Sequence, residues 1–77
     1  MRDTVLEVLS GHFGNLPILN DDDTHIIDDL GGDEFDLVEL SIALDEKLNI
    51  SLDEEAILDV KTVGDLIKLV ESNVQPN

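Results

Sequence analysis

Carboxylates are the one reactive group this chain has in quantity, and their grouping limits the chemistry open to it. Asp21-Asp22-Asp23 and Asp28-Asp29 cluster in the way that attracts hard divalent cations. A helix-loop-helix calcium loop needs acidic ligands at alternating positions, Gly at the sixth and Glu at the twelfth. Counted from Asp21, the sixth residue is Ile26 and the twelfth is Gly32. The pattern fails, and only weak, non-specific divalent binding is expected. No cysteine is present, which removes thiolate ligands, thiol nucleophiles and disulfides. His12 and His25 have no neighbouring ligand set; His12 reads as a core-edge residue on an apolar helical face and His25 as a loop residue. No Ser-His-Asp or Cys-His constellation can be assembled. No metal site and no catalytic residue is therefore expected, and the chain is read as not an enzyme.

The elements that position these groups are helical. Thr4 and Glu7 have capping-box spacing, and Val5, Val8, Leu9, His12 and Phe13 recur at helical intervals. A first helix is predicted from about Asp3 to Gly14, where Gly14-Asn15 stops it and Pro17 discourages resumption. Residues 15 to 32 have no sustained period. Leu16, Ile18, Leu19, Ile26, Ile27 and Leu30 are expected to fold back as core plugs, with a short turn of helix inside so long a connection. Asp33 can cap a second helix running to about Leu48, and Asp53 a short third one through about Asp59. Thr62, with Asp65 three residues on, opens a final helix carrying Val63, Leu66, Ile67 and Val70. The fold class is all-α: a four-helix bundle with a long loop between helices 1 and 2 and a short third helix. One domain, 1–77, is expected, with a core at about 3–71 and a frayed tail at 72–77.

The second helix carries two apolar stripes. At about 100° per residue, Leu37, Leu40, Leu44 and Leu48 fall together and should face the core, with Ser41 at their edge. Phe35, Val38 and Ile42 form another stripe, bordered by Glu39 and Glu46 on one side and Asp45 on the other. Such a stripe rimmed by carboxylates marks a partner surface. The alternative is that it packs beneath residues 15–32.

Residues 30 to 44, Leu-Gly-Gly-Asp-Glu-Phe-Asp-Leu-Val-Glu-Leu-Ser-Ile-Ala-Leu, resemble the most recognisable stretch of an acyl carrier protein. The resemblance covers nearly the whole chain. Asp28-Asp29-Leu30-Gly31 is similar to the acidic run that precedes the modification site. Asp53-Glu54-Glu55-Ala56 and Lys61-Thr62-Val63-Gly64-Asp65-Leu66 follow at the family's spacing. In that family the central triplet reads Asp-Ser-Leu, and the serine hydroxyl takes up 4′-phosphopantetheine; here it is Asp33-Glu34-Phe35. The resemblance implies that Glu34 holds the attachment position and cannot be modified, so no cofactor is expected on this chain. Ser41, two turns along, is the nearest downstream hydroxyl. The resemblance also implies that Asp33, Phe35, Asp36, Val38, Glu39, Ile42, Asp45 and Glu46 form a recognition surface for basic faces of carrier-protein-dependent enzymes in fatty-acid or polyketide-type synthesis, with Lys47 interrupting the acidic run. Two origins stay open: a natural non-carrying interaction module, or an ordinary carrier whose serine was replaced by engineering.

Gly31-Gly32-Asp33-Glu34-Phe35 also spells the diguanylate cyclase signature. That motif belongs on a β-hairpin of a much larger α/β domain, and here it opens a helix in a chain without strand pattern. Nucleotide phosphates would, besides, have to approach a strongly acidic surface.

Charge narrows the partners further. Nineteen Asp and Glu face four Lys and Arg, a formal net of −15. That field repels nucleic-acid backbones and anionic lipid headgroups, so no nucleic-acid or membrane role is expected, and it favours basic proteins. A hydrophobic content of 42% with clear periodicity argues against disorder. Met1-Arg2-Asp3-Thr4 lacks the apolar core of a signal peptide, and no run reaches the roughly 18 residues of a membrane span. A cytoplasmic monomer is the expectation.

Self-repulsion on this scale predicts a salt-dependent stability. The screening length falls from about 30 Å at 0.01 M to about 8 Å at 0.15 M ionic strength. The melting temperature should rise across that interval. A flat profile would mean that repulsion does not limit the fold.

Overall fold

The computed structural model describes residues 2–74. Among them are four α-helices, α1 (Arg2–Phe13), α2 (Glu34–Leu48), α3 (Glu54–Leu58) and α4 (Val63–Asn73), with a 3-10 turn at Pro17–Asn20. No strand occurs among these residues, and a lone antiparallel bridge joins His25 to Thr62. The all-α reading holds. None of the helices is long and apolar enough to cross a membrane.

Each helix boundary has a local cause. The Thr4–Glu7 capping box does not form, because α1 begins at Arg2 and Thr4 lies inside it. Arg2 is anchored from outside: its guanidinium pairs with Asp22 and donates to the Asn20 carbonyl at 2.8 Å. Gly14, at φ 97°, takes the left-handed turn that ends α1. Pro17 sits in the first turn of the 3-10 segment, where its missing N–H costs nothing. Asn49, at φ 55°, ends α2 in the left-handed conformation that Asn tolerates better than most residues.

α4 has the most completely satisfied start. The Thr62 hydroxyl accepts from the Asp65 amide at 3.1 Å, and the Asp65 carboxylate accepts from the Thr62 and Lys61 amides at 3.2 Å. The next amides turn to the 15–32 connection: Val63 donates to Thr24 O and Gly64 to Asp22 O, both at 2.9 Å. Ile26 N donates back to Lys61 O at 2.9 Å. The amides that a helix N-terminus leaves without an intrahelical partner are thus met by its own cap and by another segment. Gly64 permits the approach, since a Cβ there would lie 3.1 Å from the Asp22 carbonyl oxygen.

The core gathers Val5 and Leu9 of α1, Leu37, Leu40 and Leu44 of α2, Ile57 of α3, and Val63, Leu66, Ile67 and Val70 of α4. Leu19 and Ile26 are the two plugs that the connection drives fully inward, and Leu30 is half-buried. Leu16, Ile18 and Ile27 were expected there too and are instead about 40% exposed. The short turn and the bridge fix which side chains face inward, and three of the six are turned out. Residues 72 and 73, expected to fray, belong to α4; the last three residues of that tail lie outside the described part of the chain.

The Asp65 cap carries a pH dependence. Partial burial pushes its carboxyl up, but the Thr62 and Lys61 amides and the Thr62 hydroxyl outweigh this and hold it below the usual carboxylate range. A carboxyl lowered by folding stabilises above its unfolded value of about 3.9, and that contribution is lost as pH falls through the folded value. Asp65→Asn should therefore lower the melting temperature at pH 7. The gap from the parent should close as pH drops below about 4; a gap that persists at pH 2 would assign the loss to something other than the charge.

Candidate functional site: the start and outer face of the second helix

Three devices fix the chain where it enters α2. Gly31 turns at φ 73°, in the left-handed region. Gly32 is buried, and a Cβ there would lie 3.1 Å from the Phe13 ring and 3.2 Å from the Ile26 carbonyl oxygen. Any side chain there would force these neighbours to give by a few tenths of an ångström, so glycine suits the close pass beneath Phe13. Asp33 then caps the helix: its Oδ1 accepts from the Asp36 amide at 3.1 Å, while Asp36 Oδ2 accepts from the Asp33 amide at 2.8 Å. Glu34 follows as the first helical residue, exposed to solvent. A negative charge at this end of a helix is favourable by roughly 0.3–1 kcal/mol.

His12 reaches this corner from α1. Its Nε2 lies 2.7 Å from Asp36 Oδ1, and its Nδ1 is 3.8 Å from Glu39 Oε2. His12 thus does have acidic neighbours, Asp36 and Glu39, which its position in the sequence did not suggest. The hydrogen bond from His12, seconded by the Asp33 amide, holds the Asp36 carboxyl below its ordinary value against a smaller opposing effect of burial.

The two stripes of α2 separate as their spacing predicted. Leu37, Leu40 and Leu44 are fully buried, Leu48 is half-buried and Ser41 is also inside. Phe35 is 78% exposed and Ile42 53%, with Val38 half-buried. The alternative packing beneath residues 15–32 does not occur. Full burial of such side chains is worth about 1.5–3 kcal/mol each, of which the free domain leaves most unrealised at Phe35 and about half at Ile42.

The eight residues singled out on α2 therefore fall into two groups. Phe35, Val38, Glu39, Ile42 and Glu46 share an outer face and are available to solvent in whole or part. Asp33, Asp36 and Asp45 are engaged within the fold: the first two in the capping box, and Asp45 by accepting the Leu52 amide at 2.9 Å. Lys47 turns its charge to α1, 2.6 Å from Glu7. Beside this face, an open groove of about 520 Å³ between α1 and α2 is lined by Val8, Gly11, Leu40 and Ala43 together with His12, Glu39, Glu46 and Lys47.

Known proteins share this arrangement of sequence. Residues 3–70 match the family described as "Phosphopantetheine attachment site". The chain is 35% identical over 71 residues to an acyl carrier protein of Wolinella succinogenes, covering 92% of this chain and 93% of that protein. It is 37% identical over 70 residues to an acyl carrier protein of a Sulfurovum species, covering 91% and 93%.

The division of α2 into a buried and an exposed stripe predicts unequal costs of truncation. Leu44→Ala should destabilise by about 2–5 kcal/mol and Ile42→Ala by well under that range. Denaturant melts of the two variants measure both. Equal losses would make the outer stripe part of the core.

Proposed function

We propose, since the chain belongs to the acyl carrier protein family, that it is a single carrier-like domain which no longer carries and instead acts as a protein-interaction module. The observation behind this reading is Glu34. It occupies the exposed first position of α2, in the run that resembles the family's attachment site. Attachment of 4′-phosphopantetheine needs a hydroxyl oxygen there to attack the pyrophosphate of coenzyme A, and a carboxylate does not supply one. Ser41 offers no substitute, being only 7% exposed and two turns away.

Without an arm, what remains is the outer face of α2. Phe35 and Ile42 offer apolar anchors, and Glu39 and Glu46 offer charges not used by the fold's own caps. That combination fits a partner with an apolar pocket framed by Arg and Lys, the kind of basic surface that carrier-protein-dependent enzymes of fatty-acid or polyketide-type synthesis present. The carboxylates steer the encounter, and the apolar pair contributes most of the affinity once desolvated. A monomer suits this reading, because a second copy would bring another strongly negative surface to the same face.

Two measurements test it. Incubated with coenzyme A and a promiscuous phosphopantetheinyl transferase, the chain should keep its mass, whereas Glu34→Ser should gain one phosphopantetheine arm. Modification of the unaltered chain would falsify the non-carrying role. Charge reversal at Glu39 or Glu46 should leave the fold intact and weaken binding to a basic carrier-protein-dependent enzyme, more so at low salt. Unchanged binding would move the partner surface elsewhere.

A further inference from the structure

We infer that His12, Asp36 and Glu39 form a binding site for a transition-metal dication of the zinc class, linking the last turn of α1 to the first turns of α2. One ligand atom from each of the three lies within 4.8 Å of the other two. Asp36 and Glu39 stand three residues apart and so share a face of α2. The packing of α1 sets the imidazole against that face.

The nearest pair is close to metal-binding geometry. Zinc ligands sit about 2.0–2.2 Å from the ion, so two of them in a tetrahedral set lie roughly 3.3 Å apart. His12 Nε2 and Asp36 Oδ1 are 2.7 Å apart across their hydrogen bond. A cation replacing the shared proton requires that pair to open by only about half an ångström. Glu39 Oε2 lies on the Nδ1 side of the ring, 3.8 Å from that nitrogen, and its exposed side chain must turn toward the Nε2 side to complete the set. Three protein ligands leave further positions to water.

Two of the three ligands are held in place before any ion arrives. Asp36 Oδ2 accepts the Asp33 amide at 2.8 Å, which orients the carboxylate in the way that outer hydrogen bonds orient metal ligands. The His12 ring meets the Phe13 ring edge-on with centroids 4.8 Å apart, and its side chain is 24% exposed. The donor set selects the metal. One imidazole nitrogen with two carboxylate oxygens suits zinc, cobalt or nickel, whereas calcium and magnesium prefer oxygen alone. At the acidic stretches His25 Nδ1 lies 3.7 Å from Asp28 Oδ2, but no third ligand joins that pair among the described residues.

Calorimetric titration with zinc tests the site, with His12→Gln, Glu39→Gln and His25→Gln as variants. His12→Gln should weaken zinc binding at least tenfold and Glu39→Gln severalfold, while His25→Gln leaves it unchanged. Cobalt should broaden the ring-proton resonances of His12 and spare those of His25. Calcium should raise the melting temperature of the parent and of His12→Gln equally, as screening alone does. Equal zinc affinity in the parent and His12→Gln, or equal cobalt broadening of both histidines, would overturn the inference. If His12→Gln fails to fold, the exposed Glu39→Gln variant and the cobalt spectrum of the parent decide it.

Discussion

A domain of this size has room for one apolar core, and α2 brings two apolar stripes to it. The leucine stripe wins the interior: Leu37, Leu40 and Leu44 join buried side chains of α1, α3 and α4 in one cluster, with α1 and α3 as the helices that pack on α2. Once those side chains are inside, helical geometry turns Phe35 and Ile42 outward. The exposed face is therefore a direct consequence of how the core is filled. A lone Phe on a surface is unremarkable, but Phe35 and Ile42 stand exposed in register along one helix, with Val38 partly exposed between them.

The carboxylates divide along the same line. Asp33, Asp36, Asp53 and Asp65 end loops by accepting backbone amides at helix starts, and Asp45 holds the turn after α2 through Leu52. These charges stabilise the fold while adding to its repulsion. Glu39 and Glu46 accept no such backbone amide; Glu39 lies 3.8 Å from His12 Nδ1 and Glu46 is exposed. Arg2 and Lys47 reach partners at the α1 side, Asp22 and Glu7, so neither neutralises the outer face of α2.

Much of this was legible in the chain itself, since the helices are marked by local signals. Asp33, Asp53 and Thr62 cap where their positions suggested, Asn49 stops α2, and the 3.6-residue period sorted the stripes correctly. The family run around Glu34 was legible as well. What escaped the sequence are contacts set by tertiary packing. Nothing local tells that Arg2 reaches Asp22 and starts α1 a residue before Asp3, or that Leu16, Ile18 and Ile27 stay out while Leu19 and Ile26 go in. His12 and Asp36 are 24 residues apart, so their pairing depends on how α1 lies across α2. Asp45 looked like part of an acidic rim until its hydrogen bond to Leu52 showed it holding a turn.

The backbone bonds between residues 22–26 and the start of α4 bear on how the domain breathes. Ile26, Val63 and Gly64 donate across the same seam. Each acceptor belongs to the other side, so parting the two segments breaks all three bonds together. Lifting the connection exposes the first turn of α4 in the same event and withdraws Ile26 from the core. The seam is thus a cooperative opening unit, distinct from the fraying of the helix ends. Hydrogen exchange at the three amides is expected to report that shared opening of the connection and the first turn of α4.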